Sequence, residues 1–188
     1  GVYGAPLDVR ACLRLEVPGR ANSTFGAVAD GATILVPDRL RSLQLPEEYV
    51  QGLVEITRRE ADGIARAWRN GVPALDLAGR IVLLVDDGLS DAVMVAVAAH
   101  SLREAGARRL IYMAPVATPE LWAALSDYCD DRLLLYPVET GAGATISDTE
   151  FEQTTGFDVG RMIRESRRSD DRGSQTVGAL GRSAVPSL

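Results

Sequence analysis

Five consecutive apolar residues, Ile81 to Val85, run directly into Asp86-Asp87-Gly88, and an almost uniformly apolar stretch with helical character, Ala92 to Ala105, follows and stops at Gly106. A strand without polar alternation reads as one covered on both faces, the habit of parallel sheets. Its carboxyl end is where open α/β sheets bind ligands. The pattern then repeats. Leu110 to Ala114 forms a second strand, Thr118 and Pro119 cap and open a helix running through Trp122 and Leu125 toward Cys129, and Leu133 to Tyr136 closes the series. Strands alternating with helices of this length predict β-α-β crossovers. The expected fold is therefore α/β, a doubly wound, mostly parallel sheet flanked by helices, with Ile81 to Val85 interior to it.

The amino-terminal part adds a smaller feature. Leu7 to Leu15 reads as a strand ending at the Pro18-Gly19 turn, and Phe25 to Val28 and Thr33 to Val36 flank Asp30-Gly31, a dipeptide suited to a tight hairpin. From Pro46 to about Trp68 the spacing of Tyr49, Leu53, Ile56, Ile64 and Trp68 is helical, with Gly71 just past the end. Beyond Pro137, Gly141 to Ala144 reads as loop and Thr155 to Asp158 as a capping box for a short helix ending near Arg168. The expected organisation is one domain over 1–168 and a Gly-, Ser- and Arg-rich tail over 169–188.

Composition closes several routes. All twenty basic residues are Arg, so Schiff-base chemistry and a Walker A lysine are absent. The net charge of −6, with Arg residues interleaved among acids, argues against a surface that tracks nucleic-acid phosphates. No apolar run has the length of a membrane span and no signal peptide is visible, so the expectation is a cytoplasmic protein without membrane contact. Cys12 and Cys129 lack close partners and read as small buried hydrophobes. His100 has no identifiable catalytic partner, and Arg108-Arg109 reads as the charge complement of a helix end. Trp68 and Trp122 read as packing residues.

Residues 81 to 94 resemble the PRPP loop of the type I phosphoribosyltransferases: a strand, two acids, Gly, any residue, Ala-Thr-Gly, any residue, Thr. Further ordered matches extend the likeness to a bacterial branch of that family over roughly Gly4 to Arg168. They are Gly4 to Val9, Val17 to Gly19, Phe25 to Val28, Leu77 to Arg80, Ala114 to Ala117 and Phe151 to Thr155. The resemblance implies that Asp86 and Asp87 hold the ribose hydroxyls of PRPP and help retain Mg²⁺, and that the loop Gly88, Leu89, Ser90, Asp91, Ala92, Val93 and Met94 faces the 5′-phosphate.

The phosphate half departs from the pattern. Ser90 stands where the family has Ala, Asp91 for the first Thr, Ala92 for Gly and Met94 for the second Thr. Two unit charges about 4 Å apart repel by roughly 4 kcal/mol at an effective dielectric of 20, so Asp91 opposes a bound phosphate. It is also suited to cap the helix that it begins. At the end of the first matched strand the family carries a basic pair, and here Leu13-Arg14 leaves one cation, Arg14. The family's earlier strand, with its Pro-Arg-Gly-Gly loop, has no match here. Its absence predicts either direct pairing of Asp8 to Leu13 with Ile81 to Val85 or a gap between them that a partner chain fills.

Three readings follow. The first is a phosphoribosyltransferase-family domain with a ribose-phosphate or nucleotide crevice at Asp86 to Met94, its catalysis impaired or lost. The second is an active transferase using Mg-PRPP. The third is a ligand-free interaction module, a homodimer formed through the apolar helices. For Asp86-Asp87, a solvated strand end without chemistry stands beside ligand contact.

Overall fold

The computed structural model describes residues 5–88, 90–136 and 158–167. Its elements are β1 (Leu13–Leu15), β2 (Gly26–Ala29), β3 (Ala32–Leu35), α1 (Pro37–Leu43), α2 (Glu47–Arg69), β4 (Ile81–Val85), α3 (Ala92–Glu104), β5 (Arg109–Ala114), α4 (Pro119–Ala124), a 3₁₀ turn (Leu125–Asp127) and β6 (Asp131–Leu134). A further helix, α5, covers 158–167. The chain divides into two compact units, one of Arg10–Ala65 with Asp76–Glu152, the other of Gly1–Val9, Arg66–Leu75 and Gln153–Leu188.

The first of these units holds two three-stranded sheets. β1, β2 and β3 are antiparallel, and Gly31 at φ +78° makes the expected hairpin turn after Asp30. β2 consists of Gly26-Ala27-Val28-Ala29, all buried. A Cβ on Gly26 would lie 2.3 Å from the Ile34 carbonyl oxygen, so the strand pairs closely only because its residue there is glycine. Its small side chains let α3 approach, and Ala27, Ala29, Ala32 and Val97 form one core with Cys12, Ile34, Val93 and Met94 against them.

The second sheet is parallel, in the order β4-β5-β6, with Leu84 beside Tyr112 and Tyr112 beside Arg132. Its packed face joins Val95 of α3 to Tyr112, Ala114, Leu121 and Leu125, with Leu84, Trp122 and Leu134 alongside. α4 begins as its sequence requires: Thr118 accepts a hydrogen bond from the Leu121 N–H, and Pro119 occupies the first turn. Trp122 packs on this core beneath the Arg132 guanidinium, 4.2 Å from the ring centre. α3 contributes to both cores, Val95 to one and Val97 to the other.

Several expectations require correction. The first strand is Leu13–Leu15 rather than Leu7 to Leu15, and α1 occupies residues to which the sequence assigned no element. β6 begins at Asp131, two residues before the expected start, and Arg109 pairs with Asp131 across β5 and β6 instead of serving the end of α3. The basic residue in the last turn of α3 is Arg103.

The largest correction concerns β4. Among the described residues it is an edge strand, and Ile81, Leu83 and Val85 are exposed. An unbroken apolar run cannot say whether its second face is covered. Here α3 and α4 pack on one face of the sheet, and among the described residues β1 pairs with β2 and not with β4.

The other unit is organised around Asp8. Its carboxylate accepts from Arg69 Nε at 2.9 Å and from the Val9 and Leu75 N–H groups at 2.9 and 3.0 Å. Burial works against the charge, yet the Leu75 N–H and Arg69 outweigh it and hold the carboxyl below its usual range. α5 packs through Gly160, where a Cβ would stand 2.8 Å from the Trp68 carbonyl oxygen. The capping residues Thr155 to Phe157, the loop at Gly141 to Ala144 and the 169–188 tail lie outside the described residues. Among the described residues, no helix is long and apolar enough to cross a membrane.

Candidate functional site

The carboxyl end of β4 gathers the residues that the sequence singled out. The Asp86 N–H extends the parallel ladder by donating to the Met113 carbonyl at 3.0 Å, which fixes the backbone just where the two acids begin. The Asp86 carboxylate then turns onto the packed face of the sheet. Oδ2 accepts from the Tyr112 hydroxyl at 2.8 Å and the Gly88 N–H at 3.1 Å, and Oδ1 accepts from Ser90 Oγ at 2.8 Å. With three donors, Asp86 is the internal anchor of the loop.

Tyr112 went unnoticed in the sequence. It is fully buried, and burial, reinforced by its bond to Asp86, pushes its phenol well above the usual tyrosine range. The available signal was a tyrosine inside an apolar strand, since a buried hydroxyl needs a partner. What could not be read was the β4–β5 register that places it beside Leu84, two residues short of Asp86.

Gly88 has a positive φ of +87°, and a Cβ there would lie 2.0 Å from the Val116 carbonyl oxygen. The loop thus passes against the β5–α4 connection at a distance that only glycine permits. Asp87 is exposed, Ser90 is half-buried, and Leu89 lies outside the described residues. The two adjacent acids therefore differ: Asp86 is held inward, while the Asp87 side chain faces solvent.

Asp91 is the N-cap of α3. Its Oδ1 accepts from the Met94 N–H at 3.0 Å, and its Oδ2 accepts from Arg14 Nε at 3.0 Å. The carboxylate thus occupies the helix N-terminus where a ligand anion would otherwise be favoured. Arg14, on β1, is the one cation that the sequence left for the pyrophosphate side, and the structure pairs it with this same acid. Ala92, partly buried, packs toward the β5–α4 core, while the partly buried Val93 and Met94 pack toward the β2–β3 core.

Outside this loop, the cysteines are half-buried rather than buried, and that partial burial pushes both thiols up to about 11. His100 is exposed and stands 3.9 Å from Glu104 on the same helix. Among the described residues, no group of three or more His, Cys, Asp or Glu is arranged to hold a metal ion.

No family model matches the chain. Two proteins of Mycobacterium tuberculosis, "Putative phosphoribosyl transferase Rv0571c" of strain H37Rv and "Putative phosphoribosyl transferase MT0597" of strain CDC 1551, are each 27% identical to it over 190 residues. The match covers 98% of this chain, and the chain spans 41% of the length of those relatives. Among solved structures, the crystal structure of TT1426 from Thermus thermophilus is similar at 27% identity with a TM-score of 0.68. That similarity covers 87% of this chain and 78% of that one.

Proposed function

We propose that this chain carries a phosphoribosyltransferase-family domain whose crevice, at the carboxyl end of β4, takes a ribose phosphate or nucleotide with reduced affinity and with transfer chemistry impaired or lost. The likeness to relatives named as phosphoribosyl transferases supports the family, and the position of the Asp86 to Met94 loop supports the crevice. The observation that carries the impairment is the Asp91 carboxylate on the α3 N-terminus, paired with Arg14. A phosphate entering there meets a resident negative charge, and the cation that would favour it is already engaged.

In this reading Asp87 offers its exposed carboxylate to the ribose hydroxyls, while Asp86 shapes the loop and offers whatever acceptor capacity Oδ1 retains beyond Ser90. The same two residues would hold Mg²⁺, which commonly uses one or two carboxylates and completes its shell with water and substrate phosphate. The ion would supply charge neutralisation for a pyrophosphate group. Two adjacent carboxylates fit that role only together with a ligand.

Calorimetric titration with Mg-PRPP and with ribose 5-phosphate tests the proposal. Weak binding of the monophosphate without turnover is the expected result. Micromolar binding of Mg-PRPP would instead favour an active transferase, and silence toward both would remove the crevice.

A further inference from the structure

Tyr112 sits in a core that makes no demand for a hydroxyl. Val95, Ala114, Leu121 and Leu125 pack with it, all apolar, and a phenylalanine would fill the same space without needing a hydrogen-bond partner. The phenol instead donates to Asp86 Oδ2 at 2.8 Å, from the strand next to the one that carries the acid. The other two donors to this carboxylate, the Gly88 N–H and Ser90 Oγ, belong to the loop and move with it. Tyr112 is thus the donor that ties the Asp86 side chain to the sheet.

An ionised carboxylate has about two acceptor sites on each oxygen. Tyr112 and Gly88 occupy those of Oδ2, and Ser90 occupies one on Oδ1, so the acceptor site that Asp86 still offers is on Oδ1. Without the phenol, the carboxylate would be held only by groups that shift whenever the loop shifts.

We infer that Tyr112 is a positioning residue of the crevice: by fixing the Asp86 carboxylate against β5, it holds the open acceptor site on Oδ1 in place for a ribose hydroxyl, without touching the ligand itself. The inference rests on the reading of the crevice given above. A side chain ordered before the ligand arrives need not be ordered at its expense, and for one side chain that is worth about three- to tenfold in affinity.

NMR titration of the isotope-labelled full chain with ribose 5-phosphate tests this on the parent, Tyr112→Phe, Asp86→Ala and the double variant. Tyr112→Phe should bind about three- to tenfold more weakly than the parent. In the Asp86→Ala background the same change at 112 should leave the affinity where it is, because the group through which it acts is gone. A purely structural role would weaken binding equally in both backgrounds. Because Asp86→Ala can fail to fold or to bind, the Gly88 amide supplies a second measurement: in Tyr112→Phe it should lose protection from hydrogen exchange by a larger factor than the amides of the β4–β5 ladder. A folded Tyr112→Phe chain that binds as tightly as the parent overturns the proposal and leaves the crevice standing, as does an equal loss in both backgrounds or a Gly88 amide as protected as in the parent. A parent that binds neither ribose 5-phosphate nor Mg-PRPP removes the crevice itself, and this role for Tyr112 with it.

Discussion

Arg14 Nε lies 3.0 Å from Asp91 Oδ2, joining β1 to the first turn of α3. The two residues are 77 positions apart in the chain, and each answers the other's charge at the N-terminus of α3. Both side chains are about half exposed, so the pair itself contributes little stability, about 0–1 kcal/mol. Its importance is for what the helix end admits.

Asp91→Ala should destabilise the fold by about 1 kcal/mol through loss of the cap, whereas Asp91→Ser should stay within a few tenths of the parent, because a hydroxyl also caps. Urea denaturation distinguishes the two. Equal loss in both variants would mean that the ion pair with Arg14, and not the cap, is the stabilising contact.

The triple change Asp91→Thr, Ala92→Gly, Met94→Thr should raise affinity for ribose 5-phosphate on the order of tenfold or more by removing the resident charge. Calorimetry on a variant of verified fold measures it. Unchanged affinity would show that Asp91 does not obstruct phosphate.

Gly88→Ala should cost about 2–4 kcal/mol, since the residue has a positive φ and its Cβ would meet the Val116 carbonyl oxygen, whereas Gly31→Ala meets no neighbouring atom and should cost only its backbone strain of roughly 1 kcal/mol. Thermal or chemical denaturation of the two variants gives the comparison. A Gly88 variant as stable as the Gly31 variant would place the loop farther from the β5–α4 connection.

Tyr112→Phe removes one of three donors to Asp86 and should cost roughly 1–2 kcal/mol at neutral pH. Its pH signature is separate. The folded state holds the Tyr112 proton above the pH at which the unfolded chain releases it, so this contribution is complete below about pH 10 and is lost as pH rises beyond it, by about 1.4 kcal/mol per unit. The variant should lack that part of the alkaline slope. Identical slopes in parent and variant would contradict the buried phenol.

Asp8→Asn should cost about 3 kcal/mol, because it leaves the Arg69 guanidinium buried without its carboxylate. The folded carboxyl titrates below its usual range, so its stabilisation is present above about pH 4 and disappears as pH falls through the lower folded value. Acid unfolding monitored by circular dichroism should show a shallower slope in the variant than in the parent. A parent-like slope would remove Asp8 from the acid transition.

Local signals were readable in the sequence wherever a single residue type decides the backbone. Thr118-Pro119 opened α4, Asp30-Gly31 turned the hairpin, Gly106 followed α3, and Asp91 capped it as its position suggested. Long-range pairing was not readable. Nothing near Ile81 to Val85 tells whether another strand or layer lies beside it, because an apolar side chain is compatible with burial and with an uncovered face alike. For the same reason Tyr112 and Asp86 could not be linked from the sequence: their contact depends on a parallel register set by the packing of α3 and α4, and no turn between the strands encodes it. Arg14 was identified as the remaining cation, but only the fold shows that its partner is Asp91.

α3 belongs to both cores of its unit: Val97 joins the β2–β3 residues and Val95 joins those of β5 and the α4 region. Neither small sheet buries its apolar side without that one helix, so the helix cannot fray away while the sheets persist. Amide hydrogen exchange in α3, β2 and β5 should accordingly occur through one shared opening event with a common free energy, rather than through two independent local ones. The loop from Asp86 to Asp91 is attached at one end of this shared element. A change that loosens the loop's hold on α3 is therefore felt on the far side of the helix, in the β1–β2–β3 sheet.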